Sequence, residues 1–198
     1  MKKDAALLIV DVQNDFCPDG ALAIPGGDRV VEPLNRIAER FAAAGLPVIA
    51  TRDWHPAVTG HFREFGGTWP PHCVQGSPGA GFHPSLRLPE KTIVVSKGHD
   101  PDKDSYSAFD GESADGVSLG EILVTLHVRH LYVGGLATDF CIRSSAVDAR
   151  KTGLEVTVLT DAIAGVDLTE GDSDRALDEM GNAGVNFNTA DESILLVT

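Results

Sequence analysis

The sequence predicts an α/β fold of three layers, with a central, mostly parallel sheet of six strands between two layers of helices. Short apolar runs alternate along the chain with segments of helical periodicity, which is the pattern of βαβ units. Several runs are continuous and rich in Val, Ile and Leu, which is typical of strands buried on both faces. We see no internal repeat or interdomain linker, so we expect residues 1–198 to form a single domain.

The first half of the chain contains three predicted strands and one helix. The run ALLIV at 6–10 is the first strand. Residues 28–44 follow with apolar side chains spaced by four, three and four, which marks one face of a helix, and Gly45 suits its C-terminal end. PVIAT at 47–51 and TIVVS at 92–96 are the second and third strands.

The second half of the chain continues the alternation. Its predicted helices span 118–128, 139–152 and 172–183, and its predicted strands span 130–136, 155–160 and 193–197. Two stretches do not fit the pattern, namely 53–90 and, less clearly, 97–117. Loops of this length are uncommon inside a compact domain unless they serve a function.

Charge and hydropathy exclude several classes of function. The formal net charge is −13, and an acidic surface repels phosphate backbones and anionic lipids, so we expect no nucleic-acid or membrane partner. The N-terminal apolar run stops at Asp11, too early for a signal peptide, and no segment reaches the length of a transmembrane helix. We therefore expect a cytoplasmic protein. The three cysteines are odd in number and widely spaced, so they indicate no disulfide framework.

Four reactive residues follow the predicted strands. Asp11 comes directly after the first strand, Asp53 just past the second, Lys97 ends the third, and Cys141 comes five residues after Leu136 at the start of a predicted helix. Ligands of open α/β sheets bind outside the carboxyl ends of the strands. The sequence therefore predicts that these four side chains converge at one edge of the sheet.

Each of these residues also has an ordinary structural explanation. An Asp after a strand often forms a turn, a Lys at a strand end usually points to solvent, and a lone Cys is often a small buried apolar residue. At Cys141, however, a helix N-terminus would favour the thiolate. Cys17 and Cys73 lack that placement, and we interpret them as structural.

The long segment after the second strand gathers potential metal ligands. Asp53 and His55 form a D-x-H pair, and His61 and His72 follow in the same loop. Carboxylate and imidazole together suit a divalent transition metal such as Mn, Fe or Zn. The alternative is that His61 and His72 are ordinary surface residues, since the spacing matches no zinc-finger pattern.

Six motifs together resemble the nicotinamidase/pyrazinamidase family, within the wider isochorismatase-like hydrolase fold. They are LLIVDVQNDFCPDGALAIPGG, DWHP, WPPHCVQGSPGAGFHPSL, VVSKG, YSAF and GGLATDFC. They occur in family order over nearly the whole chain, and their combination is specific although no single motif is. The resemblance implies a Rossmann-like sheet of about six parallel strands, in agreement with the strands predicted above.

The resemblance also implies a catalytic site. The family's Cys–Asp–Lys triad falls on Cys141, Asp11 and Lys97. Its oxyanion hole falls on the backbone N–H groups of Ala137 and Cys141, and a cis peptide is implied between Leu136 and Ala137. The reaction implied is the hydrolysis of nicotinamide to nicotinate and ammonia through a thioester, with pyrazinamide as a further substrate and a place in NAD salvage.

The resemblance assigns a metal site as well, with one divalent Fe, Mn or Zn ion per chain. Its ligands fall on Asp53, His55 and His72. The fourth ligand differs among branches of the family, and here we favour His61 over its rival Glu64. The serine that many members carry near the metal is absent from HPAVTGHFREF.

The family's aromatic pocket falls on Phe16, Trp69 and Tyr106, so we expect a small-molecule substrate. The sequence does not distinguish a monomer from a homo-oligomer.

Three other functions are also compatible with the sequence. A related amidohydrolase could act on carbamoyl or ureido substrates with the same triad, although such relatives generally lack the metal residues. A metal-activated water could act with Cys141 incidental. The chain could also be a catalytically silent binding protein on this fold.

Overall fold

A computed structural model describes residues 4–196, which form one seven-stranded sheet covered by helices. The strands are β1 (Ala5–Val10), β2 (Val48–Asp53), β3 (Ile93–Lys97), β4 (Glu112–Ser113), β5 (His130–Leu136), β6 (Glu155–Ala164) and β7 (Asn186–Asn188). The helices are α1 (Val31–Ala43), α2 (Leu119–Thr125), α3 (Arg143–Lys151), α4 (Asp172–Asn182) and α5 (Ala190–Leu196). The predicted α/β class with a mostly parallel sheet is confirmed, with seven strands in place of six.

The sheet has the order β4-β3-β2-β1-β5-β6-β7, and every neighbouring pair is parallel except β3 with β4. The central strand β1 pairs with β2 on one side and β5 on the other, with Leu8 opposite both Ile49 and Val133. This order places the carboxyl ends of β1, β2, β3 and β5 side by side.

Two apolar layers cover the sheet. Leu7 and Ile9 of β1 face the layer that contains α1, whereas Leu8 and Val10 face the layer formed with α2, α3 and α4. Successive side chains of a strand point to opposite faces of the sheet, and both faces are covered here. All four side chains are therefore fully buried. Each buried side chain of this size contributes roughly 1.5–3 kcal/mol relative to exposure. The continuous apolar runs of the sequence therefore reflect burial on both faces.

The predicted strand at 193–197 is wrong. Residues 190–196 form helix α5, and Val197 lies outside the described residues. The Thr189 hydroxyl accepts a hydrogen bond from the Glu192 N–H, while the Glu192 carboxylate accepts from the Thr189 N–H, which is a capping box. A short apolar run fits a helix as well as a strand, and the box decides between them. The outer strand at this edge is instead the polar β7.

The other predicted elements are found with shifted ends. Helix α1 begins at Val31 after a 3₁₀ turn at Gly27–Val30, and the predicted helix at 139–152 is a π-helical turn, Thr138–Ile142, followed by α3. The segment from 54 to 90 contains no α-helix and no strand, only short 3₁₀ turns and isolated β-bridges. No helix within residues 4–196 is long and apolar enough to cross a bilayer.

Candidate active site

Adjacent strand ends bring the predicted reactive residues together. Asp11 follows β1 directly and has a left-handed backbone, with φ of 50°, which turns the chain away from the sheet. Asp53 and Lys97 are the last residues of β2 and β3 and are register partners. Cys141 lies in the π-helical turn that follows β5. The predicted convergence at the carboxyl edge is therefore present in the structure.

Lys97 is the centre of this cluster. Its Nζ lies 2.9 Å from Asp11 Oδ2 and 3.4 Å from Cys141 Sγ, and it donates hydrogen bonds to Asp53 Oδ1 and, at 3.1 Å, to the Ser105 carbonyl oxygen. The Lys97 side chain is fully buried. A buried ammonium is costly unless it is paired, and here two carboxylates compensate its charge.

The electrostatic environment determines the resting protonation states. Burial lowers the pKa of Lys97, but the charges of Asp11 and Asp53 outweigh it and hold that pKa well above its usual value. Burial raises the pKa of Asp11, and Lys97 opposes the rise. Burial also raises the pKa of the Cys141 thiol well above its usual value, with Lys97 again opposing. Lys97 is thus an ammonium, and Cys141 needs a base that removes its proton.

Asp11 is placed to be that base. Its Oδ1 accepts a hydrogen bond of 2.6 Å from the Thr51 hydroxyl, which fixes the carboxylate plane. Its Oδ2 makes no well-aligned hydrogen bond within the described part of the chain, although Lys97 Nζ lies beside it. One carboxylate oxygen of Asp11 lies within 4.8 Å of Cys141 Sγ. The geometry therefore leaves a lone pair of Asp11 near the thiol.

The turn that carries the thiol is anchored at two points. The peptide bond between Leu136 and Ala137 is cis, as the family resemblance implies, and Ala137 lines the same cavity as Cys141. The buried Asp139 carboxylate accepts hydrogen bonds from the N–H groups of Val166 and Asp167, both at 2.9 Å. Asp139 thereby ties the turn to the loop after β6.

Three buried histidines form a second cluster next to the first. The ring centroids of His55 and His61 are 4.6 Å apart, and those of His55 and His72 are 5.1 Å apart. One nitrogen from each ring lies within 4.8 Å of the other two. Asp53 Oδ2 is 3.8 Å from His55 Nε2, so the carboxylate that pairs with Lys97 through one oxygen faces the histidines with the other.

All three imidazoles have the same tautomer. Each Nδ1 lies against an oxygen that can only accept, so Nδ1 carries a proton, and the neutral form of each ring has its lone pair on Nε2. The accepting atoms are the Gly98 carbonyl for His55 at 3.0 Å, an Asp104 carboxylate oxygen for His61 at 2.6 Å and the Pro70 carbonyl for His72 at 2.8 Å. Outer hydrogen bonds of this kind are typical of metal-binding histidines.

The donor set fits a divalent transition metal ion. His55 Nε2 is buried and has no hydrogen-bond partner among residues 4–196, a state that is costly unless another group satisfies the lone pair. Burial lowers the pKa of His61, and lowers that of His72 to about 4, so both rings are neutral at neutral pH. Burial raises the pKa of Asp53, but the charge of the adjacent Lys97 ammonium outweighs it and keeps the carboxyl ionised. Three imidazole nitrogens and one carboxylate suit Zn, Fe or Mn.

The two rivals for the fourth ligand lie in different places. His61 is buried within the cluster, whereas Glu64 is exposed in the 3₁₀ turn Arg63–Phe65 and is not among the clustered ligand atoms. The arrangement favours His61.

A cavity joins the two clusters. The three aromatic residues expected in the pocket all line it, and Trp69 Nε1–H donates a 2.9 Å hydrogen bond to the Tyr106 hydroxyl. Besides Phe16, Trp69 and Tyr106, the cavity is lined by Leu22, Ile24, Asp53, His55, His61, His72, Ser105, Ala137, Phe140, Cys141 and Val166. The walls are mostly apolar.

Some residues of the site were not anticipated from sequence. Phe140 packs edge-on against Trp69, with ring centroids 5.0 Å apart, and its position directly before Cys141 was the available signal. Gln13 donates to the carbonyl oxygens of Asp53 and Ala80, both at 2.9 Å, and accepts from the Asp53 N–H at 2.7 Å. No periodicity marks Gln13, since its partners are distant in sequence. Cys17 and Cys73 are buried, and neither belongs to the two clusters.

The fold and the site define an α/β protein with a buried thiol, lysine and carboxylate at the carboxyl edge of a parallel sheet. The isochorismatase domain family model matches residues 5–192, so the chain belongs to the isochorismatase family.

Three relatives narrow the comparison. The chain is 42% identical to a nicotinamidase of Escherichia coli, over 93% of this chain and 94% of the relative. It is also 42% identical to a nicotinamidase/pyrazinamidase of Mycobacterium tuberculosis, over 92% of this chain and 97% of the relative. The structure of Pyrococcus horikoshii pyrazinamidase in complex with zinc superimposes with a TM-score of 0.86 at 42% identity, covering 94% of this chain and 99% of that one.

Proposed function

We propose that this protein is an amidohydrolase that converts nicotinamide to nicotinate and ammonia and also accepts pyrazinamide. One observation carries the proposal: one cavity is lined both by Cys141 and by the three clustered histidines, His55, His61 and His72. A substrate with a ring nitrogen and a carboxamide meets both features at once. The similarity to nicotinamidases and pyrazinamidases supports this substrate class.

The first half-reaction forms a thioester. Asp11 accepts the Cys141 proton, and Lys97 stabilises the resulting thiolate. The thiolate attacks the carboxamide carbon, and the oxyanion is held by the backbone N–H groups of Ala137 and Cys141, each worth about 3–4 kcal/mol of transition-state stabilisation. Asp11 then gives its proton to the departing nitrogen, the C–N bond breaks, and ammonia leaves.

The second half-reaction releases the acid. Asp11, again a carboxylate, removes a proton from water, and the resulting hydroxide attacks the thioester carbon. The C–S bond breaks, and the Cys141 sulfur leaves as a thiolate beside Lys97. The nicotinate product would enter the recycling of pyridine nucleotides for NAD salvage.

The histidine cluster positions the substrate. Asp53, His55, His61 and His72 would hold one divalent transition metal ion, which when bound supplies a Lewis-acid contact for the ring nitrogen. The walls formed by Phe16, Trp69 and Tyr106 confine the ring plane, so the carboxamide carbon faces the thiol. Catalysis at this end of the pocket is therefore by orientation.

The test measures ammonia release from nicotinamide and from pyrazinamide by the purified protein, with metal analysis of the same sample. We expect both amides to be hydrolysed and thiol alkylation to stop the reaction. Hydrolysis of carbamoyl substrates alone would contradict the proposal, as would full activity after alkylation. An absence of ammonia from every amide would favour a binding protein on this fold.

A further inference from the structure

One segment outside the cavity holds the loop that carries His61. We call residues 98–104 the outer segment. The Pro101 carbonyl oxygen accepts hydrogen bonds from the Gly60 N–H at 2.9 Å and from the Thr59 hydroxyl at 3.1 Å. Asp104, in the same segment, reaches the His61 ring itself. The outer segment therefore positions both the backbone just before His61 and the His61 side chain.

The contact between Asp104 and His61 differs from those of the other two histidines. His55 and His72 donate Nδ1–H to backbone carbonyl oxygens, which side-chain substitution cannot remove. His61 donates to a carboxylate, 2.6 Å away, whose side chain is 61% exposed while that of His61 is 7% exposed. A surface carboxylate thus orients a buried ring, and it can be replaced without disturbing the core.

We propose that Asp104 is a positioning residue that holds His61 as a metal ligand and thereby sets the affinity of the site. The inference rests on the metal site of the proposed function. A carboxylate on Nδ1–H fixes the tautomer that presents Nε2, fixes the ring plane and increases the basicity of the ligand. Without Asp104 the ring can rotate, and Nδ1–H must find water at a partly buried position.

The experiment measures Zn²⁺ affinity of the metal-stripped full-length chain by competition with a chromophoric chelator. Loss of such an outer contact typically weakens metal binding about 10–100-fold, and we expect that loss for Asp104→Ala. Asp104→Asn keeps an oxygen that accepts from Nδ1–H, so its loss should be smaller. Asp102→Ala removes an equal charge from the same exposed segment and should bind Zn²⁺ as the wild type does.

A second background separates positioning from long-range charge. In His61→Ala, the further change Asp104→Ala should have no effect on Zn²⁺ affinity, because its only route to the metal is gone. Co²⁺ absorption spectra should change in Asp104→Ala and stay unchanged in Asp102→Ala. Circular dichroism of each metal-free variant checks the fold.

Three results would overturn the inference. Asp104→Ala and Asp102→Ala could bind Zn²⁺ equally well, Asp104→Ala could weaken binding by the same factor with and without His61, or Asp104→Asn could be no better than Asp104→Ala. A wild-type protein that takes up no Zn²⁺ or Co²⁺ would reject the metal site itself, and this outcome is distinct from the other three.

Discussion

The two clusters that meet in the cavity are supported by different parts of the fold. Asp11, Asp53 and Lys97 lie at or beside the ends of adjacent parallel strands, where the ladder and two packed faces fix the backbone. His61 and His72 lie on irregular chain, and outer hydrogen bonds align their rings. The sheet therefore provides the chemistry with a rigid edge, while the loops provide a site whose geometry depends on individual contacts.

Asp53 is the residue that the two clusters share. One of its oxygens accepts from Lys97, and the other faces His55. Because this link runs through one carboxylate, the clusters are adjacent but chemically separable. Substitutions of Asp11, Lys97 or Cys141 should impair turnover with little loss of metal, whereas substitutions of the histidines should impair metal binding and substrate affinity first.

Cys141→Ala should produce the largest difference between the loss of turnover and the loss of metal. Without the proposed nucleophile, turnover of nicotinamide should fall by a factor on the order of 10⁴ or more, while metal content stays at the wild-type level. Ammonia release and metal analysis on one preparation measure both quantities. Cys17→Ala is the control, since this thiol is buried outside both clusters and burial raises its pKa to about 11. Substantial turnover by Cys141→Ala would remove the basis of the comparison.

Lys97→Met tests the electrostatic role of Lys97 in the cluster that it forms with Asp11, Asp53 and Cys141. Lys97 opposes the effect of burial on Cys141, so its loss should raise the pKa of the thiol further and shift iodoacetamide reactivity to higher pH. We expect kcat to fall about 10²–10³-fold, comparable to the loss of one transition-state contact. Two buried carboxylates lose their partner, so the free energy of unfolding should drop by roughly 3–5 kcal/mol. An unchanged reactivity profile would show that Lys97 does not act on the thiol.

On the loop side, His61→Ala and Glu64→Ala are matched. His61→Ala should weaken metal binding and raise the KM for nicotinamide roughly 10-fold or more, because the ring of the substrate loses its fixed contact. Glu64→Ala should be close to wild type, since Glu64 is exposed and outside the cluster. Metal stoichiometry and steady-state kinetics decide the matter. The reverse pattern would assign Glu64 as the ligand and make His61 a bystander.

The same contrast explains what the sequence predicts well. Asp11 and Lys97 could be placed because strand ends are readable from apolar runs, and parallel strands align their carboxyl ends. The partners of the histidines could not be placed, since the contact of His61 with Asp104 joins two loops 43 residues apart and follows no period. Helix α5 was missed for a different reason: the apolar run at 193–197 outweighed the capping box at Thr189.

The smallest effect is expected for two aromatic residues that line the cavity. Trp69→Phe and Tyr106→Phe each remove the same hydrogen bond, which joins the indole N–H to the phenol oxygen across the pocket. A hydrogen bond of this kind contributes about 1 kcal/mol, so each variant should raise KM roughly 2–10-fold with little change in kcat or metal content. The KM of the double variant should be no higher than that of the more impaired single variant, because the bond can be lost only once. Additive increases in KM would mean that each ring contacts the substrate independently. A fall in metal content would mean that these aromatic residues also support the histidine cluster.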